Sequence, residues 1–515
     1  MLIKCLKEVH VLETLFYKMA YSKPLKRTMK TLEILYRAKH DVTIKELEAT
    51  LKVSRETVLR TLDIAQELLP NHLVISMSEN KVELHNGDRQ TMESTIIEIA
   101  KKTSVFQILE CAILEEGLNV HELADKLFIS ESALRARIKH INKVLESFNI
   151  SLSAYAIQFV GDEVNVRYFI YAYFSEYQEL YLASRAKRIA CCFSIYERMT
   201  RKAETSPYKL INYSYQQMTR TLNVASDRLL TRKFVQLKES FVKRMSMRPS
   251  YKEFRNVYKE ALSQYLGISE LPEAEIVWAY VVSLNAVVYH LPAAEKLLYH
   301  DEGDIYEYKK RATIISEQMA RALNIQKEHL ADFLYVHQAY FINLALLTEL
   351  SPIFQMGASS IKYYVMDNLE SLYIAWYNCL TTLDESSGLD IYDIQSMSAQ
   401  LAMISSQFIY KQKIQAKTVL YSFEGESGFT AYLETLAATA YPEGIKSVFI
   451  HDQPMTQQLI EQIQPDIVVC NYEIAEQLDN CKVHRMSYIP QMQEWLLLRE
   501  LIITLDDKYV CQNSN

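Results

Sequence analysis

One pattern occurs twice near the start of the chain. Residues 43–62 read TIKELEATLKVSRETVLRTL, and residues 119–138 read NVHELADKLFISESALRARI. The two copies stand 76 residues apart, as from Glu46 to Glu122. The identical residues at this spacing are Glu46 and Glu122, Leu47 and Leu123, Leu51 and Leu127, and Ser54 and Ser130. A short helix, a turn and a further helix at one spacing predict a duplicated structural unit.

The first copy is typical of a helix-turn-helix motif. Apolar residues recur at helical spacing from Leu25 to Tyr36 and from Ile44 to Leu51, and KVS forms a turn. Ser54 is expected to cap the third helix, with its hydroxyl on free backbone amides. The predicted inward residues of that helix are Val58, Leu62, Ala65 and Leu69, and the outward ones are Glu56, Arg60 and Asp63. HLVISMSENKVELHN then predicts two strands around an SEN turn, the wing of a winged helix.

The second copy repeats this plan with a more basic outer face. Helices are expected over Val105 to Leu114 and Val120 to Leu127, and Ser130 is expected to cap the third helix. The predicted inward residues are Leu134, Ile138, Ile141 and Leu145. ISLSAYAIQFVGDEVNVRYF again alternates, and we expect a second wing around GDE. Two capped helix-turn-helix units, each followed by a wing, favour a protein that binds double-stranded DNA at two half-sites.

The predicted DNA-binding residues carry basic or hydroxyl side chains on the outer faces, turns and wings. In the first copy they are Lys52, Ser54, Arg55, Thr57, Arg60 and Lys81. In the second copy they are Ser130, Ser132, Arg135, Arg137, Lys139 and Lys143. Acidic residues interrupt the first outer face, whereas the outward residues Arg135, Lys139 and Lys143 have no acid among them. We therefore expect the second helix to be the stronger reader of DNA.

Composition and charge narrow the class of protein. The 515 residues include only 10 glycines and 11 prolines, so the chain should be mostly helical and long enough for several domains. Residues 1–300 hold 42 Lys and Arg against 35 Asp and Glu, and residues 301–515 hold 14 against 28, so nucleic acid should bind the first part. The eight cysteines form no CxxC pair, which favours a reducing, cytoplasmic location and no metal site.

The sequence provides no motif for catalysis, a cofactor or a membrane. GxxxxGK[ST], GxGxxG, HExxH and GxSxG do not occur, so we predict no enzyme activity and no cofactor. The N-terminal residues MLIKCLKEVHVLETLFYK mix charges into their apolar positions, which differs from a signal peptide. The longest apolar run, at 276–289, is too short for a bilayer and predicts a buried helix.

The middle and the end of the chain differ in their patterns. Tyrosine-rich amphipathic helices are expected from 166 to 289 and again from 306 to 410, with breaks at ETSPYKL, LGISELPE, ELSPIF and DESSGLD. These two series predict two all-helical domains. Residues 417–505 then alternate the apolar runs KTVLYSF, IKSVFIHD and PDIVVCN with helical segments. That alternation predicts a small α/β domain with a parallel sheet.

This arrangement resembles the Mga/AtxA-type regulators of Gram-positive bacteria. HELADKLFISESALRARIKHIN and FVGDEVNVRYFIYAYF are the stretches most similar to the family. The resemblance implies two winged helix-turn-helix domains, two helical regulatory domains of the sugar phosphotransferase system and a C-terminal domain like that system's EIIB proteins. The implied domains are 1–90 (N-terminal helix and first winged unit), 91–166 (second winged unit), 167–290 and 291–410 (helical, PRD-like), and 411–515 (EIIB-like).

The same resemblance implies how such a protein is controlled. Family members are transcription regulators, so this chain is expected to be a DNA-binding activator that forms a dimer or larger homo-oligomer. Their helical domains can be phosphorylated on histidine by general phosphocarrier proteins. No histidine occurs between His140 and His290, and the candidates for phosphorylation are His290, His300, His329 and His337.

Two alternative functions make different demands on the sequence. A phosphorelay carrier or enzyme would need the family's cysteine in the loop after the first strand of the EIIB-like domain, but that loop reads SFEGESG. An RNA-binding antiterminator would begin with a small strand-rich domain, whereas this chain begins with two helix-turn-helix patterns. Both features favour the DNA-binding regulator.

Overall fold

The computed structural model confirms a mainly helical, multidomain chain. It describes residues 15–37, 42–78, 80–85, 95, 99, 103–114, 117–175, 186–205, 215–284, 306–357, 359–383, 390–415, 417–425, 427–439, 445–450, 455–474, 478 and 481–504. Over these residues, helices dominate, two antiparallel sheets lie in the N-terminal part and one parallel sheet lies near the C-terminus.

The helices are numbered here in chain order. They are α1 (Leu15–Met19), α2 (Lys23–Arg37), α3 (Ile44–Leu51), α4 (Arg55–Leu68), α5 (Ser104–Leu114), α6 (Val120–Lys126), α7 (Glu131–Leu145), α8 (Glu163–Ser175), α9 (Ala186–Thr205), α10 (Tyr215–Leu230), α11 (Glu239–Ser246), α12 (Pro249–Leu266), α13 (Glu273–Ser283), α14 (Tyr306–Ala322), α15 (Lys327–Leu350), α16 (Ser359–Asn368), α17 (Glu370–Thr381), α18 (Ile394–Gln415), α19 (Ser427–Thr439), α20 (Gln457–Ile463) and α21 (Met492–Thr504). Short 3-10 helices occupy Glu146–Phe148 and Pro352–Gln355.

The strands are numbered in the same way. They are β1 (Val42–Thr43), β2 (Val74–Ser78), β3 (Lys81–His85), β4 (Ile150–Ser153), β5 (Gln158–Gly161), β6 (Thr418–Ser422), β7 (Lys446–Ile450), β8 (Ile467–Cys470) and β9 (Lys482–Arg485). Strands β1, β3 and β2 form the first sheet in that spatial order, β4 pairs with β5, and the third sheet has the order β7-β6-β8-β9.

A capping box starts the second helix of each winged unit. At the start of α3, the backbone N–H of Thr43 donates to Glu46 at 2.7 Å, and the N–H of Glu46 donates to the Thr43 hydroxyl at 3.2 Å. Asn119 and Glu122 make the same two bonds at the start of α6, at 2.8 and 3.0 Å. Each pair satisfies two backbone amides that a helix leaves without a partner, so both copies begin at equivalent residues.

The third helices present the apolar faces that the sequence predicts. Val58, Leu62, Ala65 and Leu69 of the first unit are buried, as are Leu134, Ile138, Ile141 and Leu145 of the second. In the first unit β2 and β3 form the expected hairpin, with Ser78 opposite Lys81. The first wing and both apolar faces are therefore confirmed.

The second wing turns at a different place from the one expected. Strands β4 and β5 are joined by Ala154–Ile157, not by GDE. Gly161 instead ends β5 with a φ of 136°, and a Cβ there would lie 2.9 Å from the side chain of Ile150. The carboxylate of Asp162 accepts from the N–H of Val164 at 2.8 Å and so starts α8. GDE is a strand-to-helix junction.

Helix α8 completes the core of the second winged unit. Its side chains Phe169, Ile170 and Tyr173 are buried in the same cluster as Leu134 and Ile138 of α7. Their apolar surface is removed from water only when α8 packs on that unit. The boundary expected between residues 166 and 167 therefore falls inside a helix that belongs to this core.

A buried ion-pair cluster joins α8 to the first helical series. The guanidinium of Arg167 donates to both oxygens of Glu275 on α13, and Arg228 of α10 donates to both oxygens of Glu163 at 2.8 and 2.9 Å. Burial opposes the charge on Arg167, but Glu275 and then Glu163 outweigh it and raise its pKa. The cluster contains two positive and two negative charges, so the buried charges are compensated.

Three of the four predicted breaks in the helical series are found, and the fourth, ETSPYKL, lies largely outside the described residues. Helix α12 ends at Leu266 before α13 begins at Glu273, α15 ends at Leu350 before the 3-10 turn, and α17 ends at Thr381 before α18 begins at Ile394. Among the described residues, α15 alone is long and apolar enough to cross a membrane by length and composition. It carries Glu328 and Asp332, and its side chains Phe333, His337 and Phe341 are buried in the protein, which is typical of a core helix.

The C-terminal sheet is parallel throughout. The runs KTVLYSF, IKSVFIHD and PDIVVCN supply β6, β7 and β8, as the sequence predicts. The fourth strand, β9, was not predicted. It pairs with β8 from Lys482 opposite Ile467 to Arg485 opposite Cys470. Helices α19, α20 and α21 complete this α/β domain.

The described residues fall into two compact units. One lies within Met1–Glu317 and Leu334–Met403, and the other lies within Gln318–Phe333 and Ile404–Asn515. The five-domain division remains a prediction.

Candidate nucleic-acid interface

The first recognition helix, α4, has a mixed outer face. Glu56, Arg60 and Asp63 are exposed, as expected from the helical spacing. Arg60 stands on this face between two carboxylates, and Glu67 is exposed one turn beyond Asp63. Negative side chains repel phosphate, so this face offers DNA little net attraction.

Arg55 holds the first wing beside the first recognition helix. Its guanidinium donates to the side-chain oxygen of Asn80 in the wing turn at 2.6 Å, and the backbone oxygen of Asn80 accepts from Ile44 at 2.9 Å. Asn80 has a φ of 78°, a value that asparagine tolerates better than most residues. The exposed Lys81 follows directly. The structure therefore brings Arg55 into contact with the wing turn that Lys81 follows.

The turn before α4 carries the other predicted contacts of the first unit. Lys52 is exposed and ends α3 with a left-handed φ of 54°. Ser54 occupies the N-cap position of α4, but its hydroxyl bonds the hydroxyl of Thr57 at 3.1 Å and reaches no backbone amide. The expected cap bond is wrong for Ser54. The two hydroxyls instead stand side by side at the start of the helix.

Ser130 does make the expected cap in the second unit. Its hydroxyl accepts from the N–H of Ala133 at 3.2 Å and lies 3.0 Å from the hydroxyl of Ser132. Further along α7, Lys139 and Lys143 are both exposed. A hydroxyl pair at the start of this helix and two lysines along it form a surface that can meet phosphates and base edges.

Arg135 has a carboxylate beside it. Its guanidinium lies 3.7 Å from Glu131 one turn earlier, and Glu131 also lies 3.1 Å from the ring of His121. Both Arg135 and Glu131 are exposed, so the pair adds little stability and can rearrange. Glu131 is the first residue of α7 and lies outside the stripe of Lys139 and Lys143, so the outward face alone does not predict this acid.

Tyr21 covers Arg137 and His140, two side chains of α7 beside its outward face. The guanidinium of Arg137 lies 5.7 Å from the centre of the Tyr21 ring, and the ring of His140 meets the same tyrosine edge-on at 5.5 Å. The Nε2 atom of His140 also lies 3.1 Å from the backbone oxygen of Lys18. The structure therefore directs Arg137 toward the N-terminal segment, away from the Lys139 and Lys143 stripe.

Equivalent positions of the two recognition helices carry opposite charges. At the 76-residue spacing, Asp63 of α4 corresponds to Lys139 of α7, and Glu67 corresponds to Lys143. All four side chains are exposed. The two units share a fold and differ in the sign of charge at two outward positions one turn apart.

The candidate phosphorylation sites are differently placed. His337 is fully buried in α15 and stacks on Trp376, with ring centres 5.2 Å apart. His329 is half-buried two turns earlier on the same helix. His290 and His300 lie outside the described residues. A phosphocarrier protein must reach the ring it modifies, and a stacked, buried imidazole does not allow this contact.

The loop after β6 lacks the chemistry of an active EIIB protein. Asn471, directly after β8, holds this loop in place. Its side-chain oxygen accepts from the N–H of Glu424 at 2.7 Å, and its side-chain nitrogen donates to the carbonyl of Glu424 at 2.9 Å. Cys470 ends β8, and Cys481 precedes β9. Burial raises the pKa of both thiols, which disfavours the nucleophilic thiolate.

Comparison with known proteins identifies relatives along most of the chain. Residues 88–174 match the model of the Mga helix-turn-helix domain, which covers the second winged unit and α8. The chain is 23% identical over 462 residues to the capsule synthesis positive regulator AcpA of Bacillus anthracis, covering 87% of this chain and 93% of that protein. It is 30% identical over 156 residues to a putative trans-acting regulator of Streptococcus pneumoniae, covering 30% of this chain and 31% of the relative. A probable licABCH operon regulator of Bacillus subtilis is 25% identical over 163 residues, 29% of this chain and 25% of that protein.

Proposed function

Because this chain is an Mga/AtxA-type regulator, we propose that it binds double-stranded DNA through both winged units and regulates transcription from there. The observation that carries this proposal is the exposed Lys139 and Lys143 on a capped recognition helix, within the segment that matches the Mga helix-turn-helix domain. We further propose activation, because a relative that is similar along most of the chain is described as a positive regulator. Such a protein acts in the cytoplasm, where the DNA is.

The DNA-binding proposal is tested by titrating the full chain against duplex DNA. A pool of labelled genomic fragments is mixed with the protein, and the retained duplexes are titrated by fluorescence anisotropy between 50 and 200 mM salt, a range over which roughly 6–10 phosphate contacts lower affinity by about 10³ to 10⁵. An RNA of the same sequence serves as competitor. Binding that is insensitive to salt, or stronger for the RNA, contradicts the proposal and favours the antiterminator.

Self-association is proposed through an apolar face of the C-terminal domain. Helix α21 buries Trp495, Leu498 and Ile502 in its own domain. Five neighbouring apolar side chains remain exposed, namely Tyr488, Ile489, Met492, Leu496 and Leu497. Exposed apolar side chains concentrated in one short segment are typical of a protein interface. We therefore propose a homo-oligomer, a dimer or larger, that buries this patch.

A charge placed in that patch tests the interface. Leu496→Lys should lower the mass measured by light scattering at a fixed protein concentration, because a buried ammonium is costly to desolvate. Ile314→Lys is the matched control, since Ile314 is equally exposed but lies on α14. An unchanged mass for Leu496→Lys, or an equal change in both variants, contradicts the proposal.

Control by the sugar phosphotransferase system is proposed through the second helical series, with general phosphocarrier proteins as partners. His329 is the most accessible described candidate, whereas His337 is stacked and buried. Labelled phosphoryl transfer from the phosphocarrier protein should therefore fall in His329→Ala and persist in His337→Gln. A different result is label that survives in His329→Ala and disappears in a variant that carries both His290→Ala and His300→Ala. That result would assign the phosphorylation site to His290 or His300.

An enzymatic role receives no support from the site. The relatives are described as regulators. The loop after β6 contains no cysteine, and burial raises the pKa of Cys470 and Cys481. We therefore propose that the C-terminal domain binds partners and does not transfer phosphate.

A further inference from the structure

One aromatic side chain stands in solvent at the turn of the second helix-turn-helix. Phe128 is 95% exposed, although it lies in the apolar run LFI. Its neighbours Leu127 and Ile129 pack against the core of the second winged unit. The turn therefore points the middle residue of the run away from the protein while the residues on either side face inward.

The backbone at Phe128 is unfavourable for its side chain. Its φ is 53°, in the left-handed region that bulky residues rarely adopt. Lys52 occupies the equivalent position of the first unit, 76 residues earlier, with a φ of 54°. Both turns thus use a residue with a long or bulky side chain where glycine would be least strained. Strain retained at an exposed position indicates a role outside the fold.

The place of Phe128 limits what it can touch. Ser130, two residues after Phe128, caps the N-terminus of α7. In helix-turn-helix complexes this end of the recognition helix enters the major groove, so Phe128 lies next to that end. Lys52 can meet a phosphate at this position, whereas a phenyl ring carries neither charge nor hydrogen-bond donor. The apolar group that the major groove offers is the C5 methyl of thymine.

We propose that Phe128 reads a thymine methyl group and gives the second unit a preference for thymine at one base pair. This inference rests on the proposed DNA binding. It assigns different tasks to equivalent residues: Lys52 attracts phosphate regardless of sequence, whereas Phe128 selects a base. The second unit then combines affinity from Lys139 and Lys143 with specificity from the turn.

Removing the methyl groups from the DNA tests this assignment. The full chain selects a duplex from a random pool, and the same duplex is then made with uracil in place of every thymine. Wild-type protein should bind the uracil duplex about fourfold more weakly, the effect of one methyl group removed from water. Phe128→Ala should bind both duplexes with nearly equal affinity. Its fold should be unchanged because the ring makes almost no contact within the protein.

Tyr155 supplies the matched control. It is 90% exposed in the turn between β4 and β5 of the same unit, so Tyr155→Ala removes an aromatic ring of similar exposure from the wing. This variant should keep the fourfold preference for thymine. A change of DNA shape caused by uracil would affect all variants alike, so the loss of preference in Phe128→Ala alone separates base reading from shape. Phe128→Lys should lose the preference and steepen the salt dependence by about one phosphate contact.

The outcomes separate this inference from the proposed function. Equal wild-type affinity for the two duplexes, or an unchanged ratio in Phe128→Ala, overturns the role of Phe128 while leaving DNA binding intact. Loss of the preference in Tyr155→Ala instead moves base reading to the wing and also overturns it. A full chain that selects no duplex overturns the proposed function itself, and this inference with it.

Discussion

Arg167 donates to both oxygens of Glu275, at 2.8 and 3.0 Å, across 108 residues of sequence. Both side chains are buried, and Glu275 also accepts from the N–H of Val235 at 2.6 Å. The pair links α8, the last helix of the second winged core, to α13 of the first helical series. A buried ion pair therefore holds the second winged core against the first helical series.

Breaking that pair should destabilise the chain strongly. Glu275→Leu leaves a buried guanidinium with less compensating charge, so we expect a loss of about 3 kcal/mol in the free energy of unfolding. Arg167→Met combined with Glu275→Leu should recover much of this loss, because Glu163 keeps Arg228 as its partner. Glu473→Gln is the control, since its pair with Arg485 is exposed and should contribute little. Thermal unfolding of the wild type, the Glu275→Leu variant, the double variant and the Glu473→Gln control measures these differences. Equal melting temperatures contradict the prediction.

The limits of the DNA-binding region give a second prediction. A fragment ending at residue 166 removes Phe169, Ile170 and Tyr173 from the core of the second winged unit, whereas one ending at 175 retains them. Each buried side chain contributes roughly 1.5–3 kcal/mol, so fragment 1–175 should melt cooperatively and bind duplex DNA while fragment 1–166 should not. Circular dichroism melting and anisotropy measure both properties. Phe169→Ala in the longer fragment should reproduce part of the loss. Two fragments of equal stability would separate α8 from this domain.

Local sequence patterns predict the helices and apolar faces of both winged units and the hairpin of the first wing. Helical spacing places Val58 and Leu134 inward, and the Thr43 and Glu46 pair of a capping box is readable three residues apart. Such features depend on neighbours in sequence. The sequence also predicts the parallel strands β6, β7 and β8 of the C-terminal domain. It does not predict β9, because this edge strand is mostly exposed and polar and lacks an apolar run.

Contacts between distant residues could not be read from the sequence. Tyr21 lies against Arg137 and His140 of α7, more than 100 residues later, so the covering of these two flanking side chains required the structure. The same holds for Phe128, whose apolar neighbours suggest a buried run until the left-handed turn is seen. The wing turn was misplaced because Gly161 and Asp162 suit a hairpin as well as the start of a helix.

The packing of the N-terminal segment on α7 should weaken in acid. The pKa of His140 is lowered from its ordinary value, first by burial and then by the charges of Lys26 and Lys143, against the carbonyls of Lys18 and Met19. The unfolded chain therefore binds the proton more tightly. This histidine's contribution to stability is complete above about pH 6.5 and is lost as the pH falls through the lower folded value.

Melting temperatures at pH 7.5 and pH 5.5 measure this effect. The decrease on acidification should be smaller in His140→Gln than in the wild type, because glutamine does not titrate. His72→Gln serves as control, since His72 is exposed in the first winged unit. An identical decrease in wild type and His140→Gln would mean that other groups cause the acid sensitivity.

The last prediction ranks the two recognition helices. Lys139 and Lys143 occupy the positions where α4 carries Asp63 and Glu67, and all four side chains are exposed. Each lost phosphate contact lowers the salt slope by about one, so Lys139→Ala with Lys143→Ala should lower it by about two and weaken binding at every salt concentration.

Arg55→Ala with Arg60→Ala is the matched pair in the first unit. Arg55 is engaged with Asn80 of the wing, and Arg60 stands between Glu56 and Asp63, so removing both should change the affinity and the salt slope less. Both double variants are titrated against one bound duplex at 50 and 200 mM salt. If the Arg55 and Arg60 variant loses more affinity, α4 is the principal reader, and charge at the outward positions does not decide which unit holds the DNA.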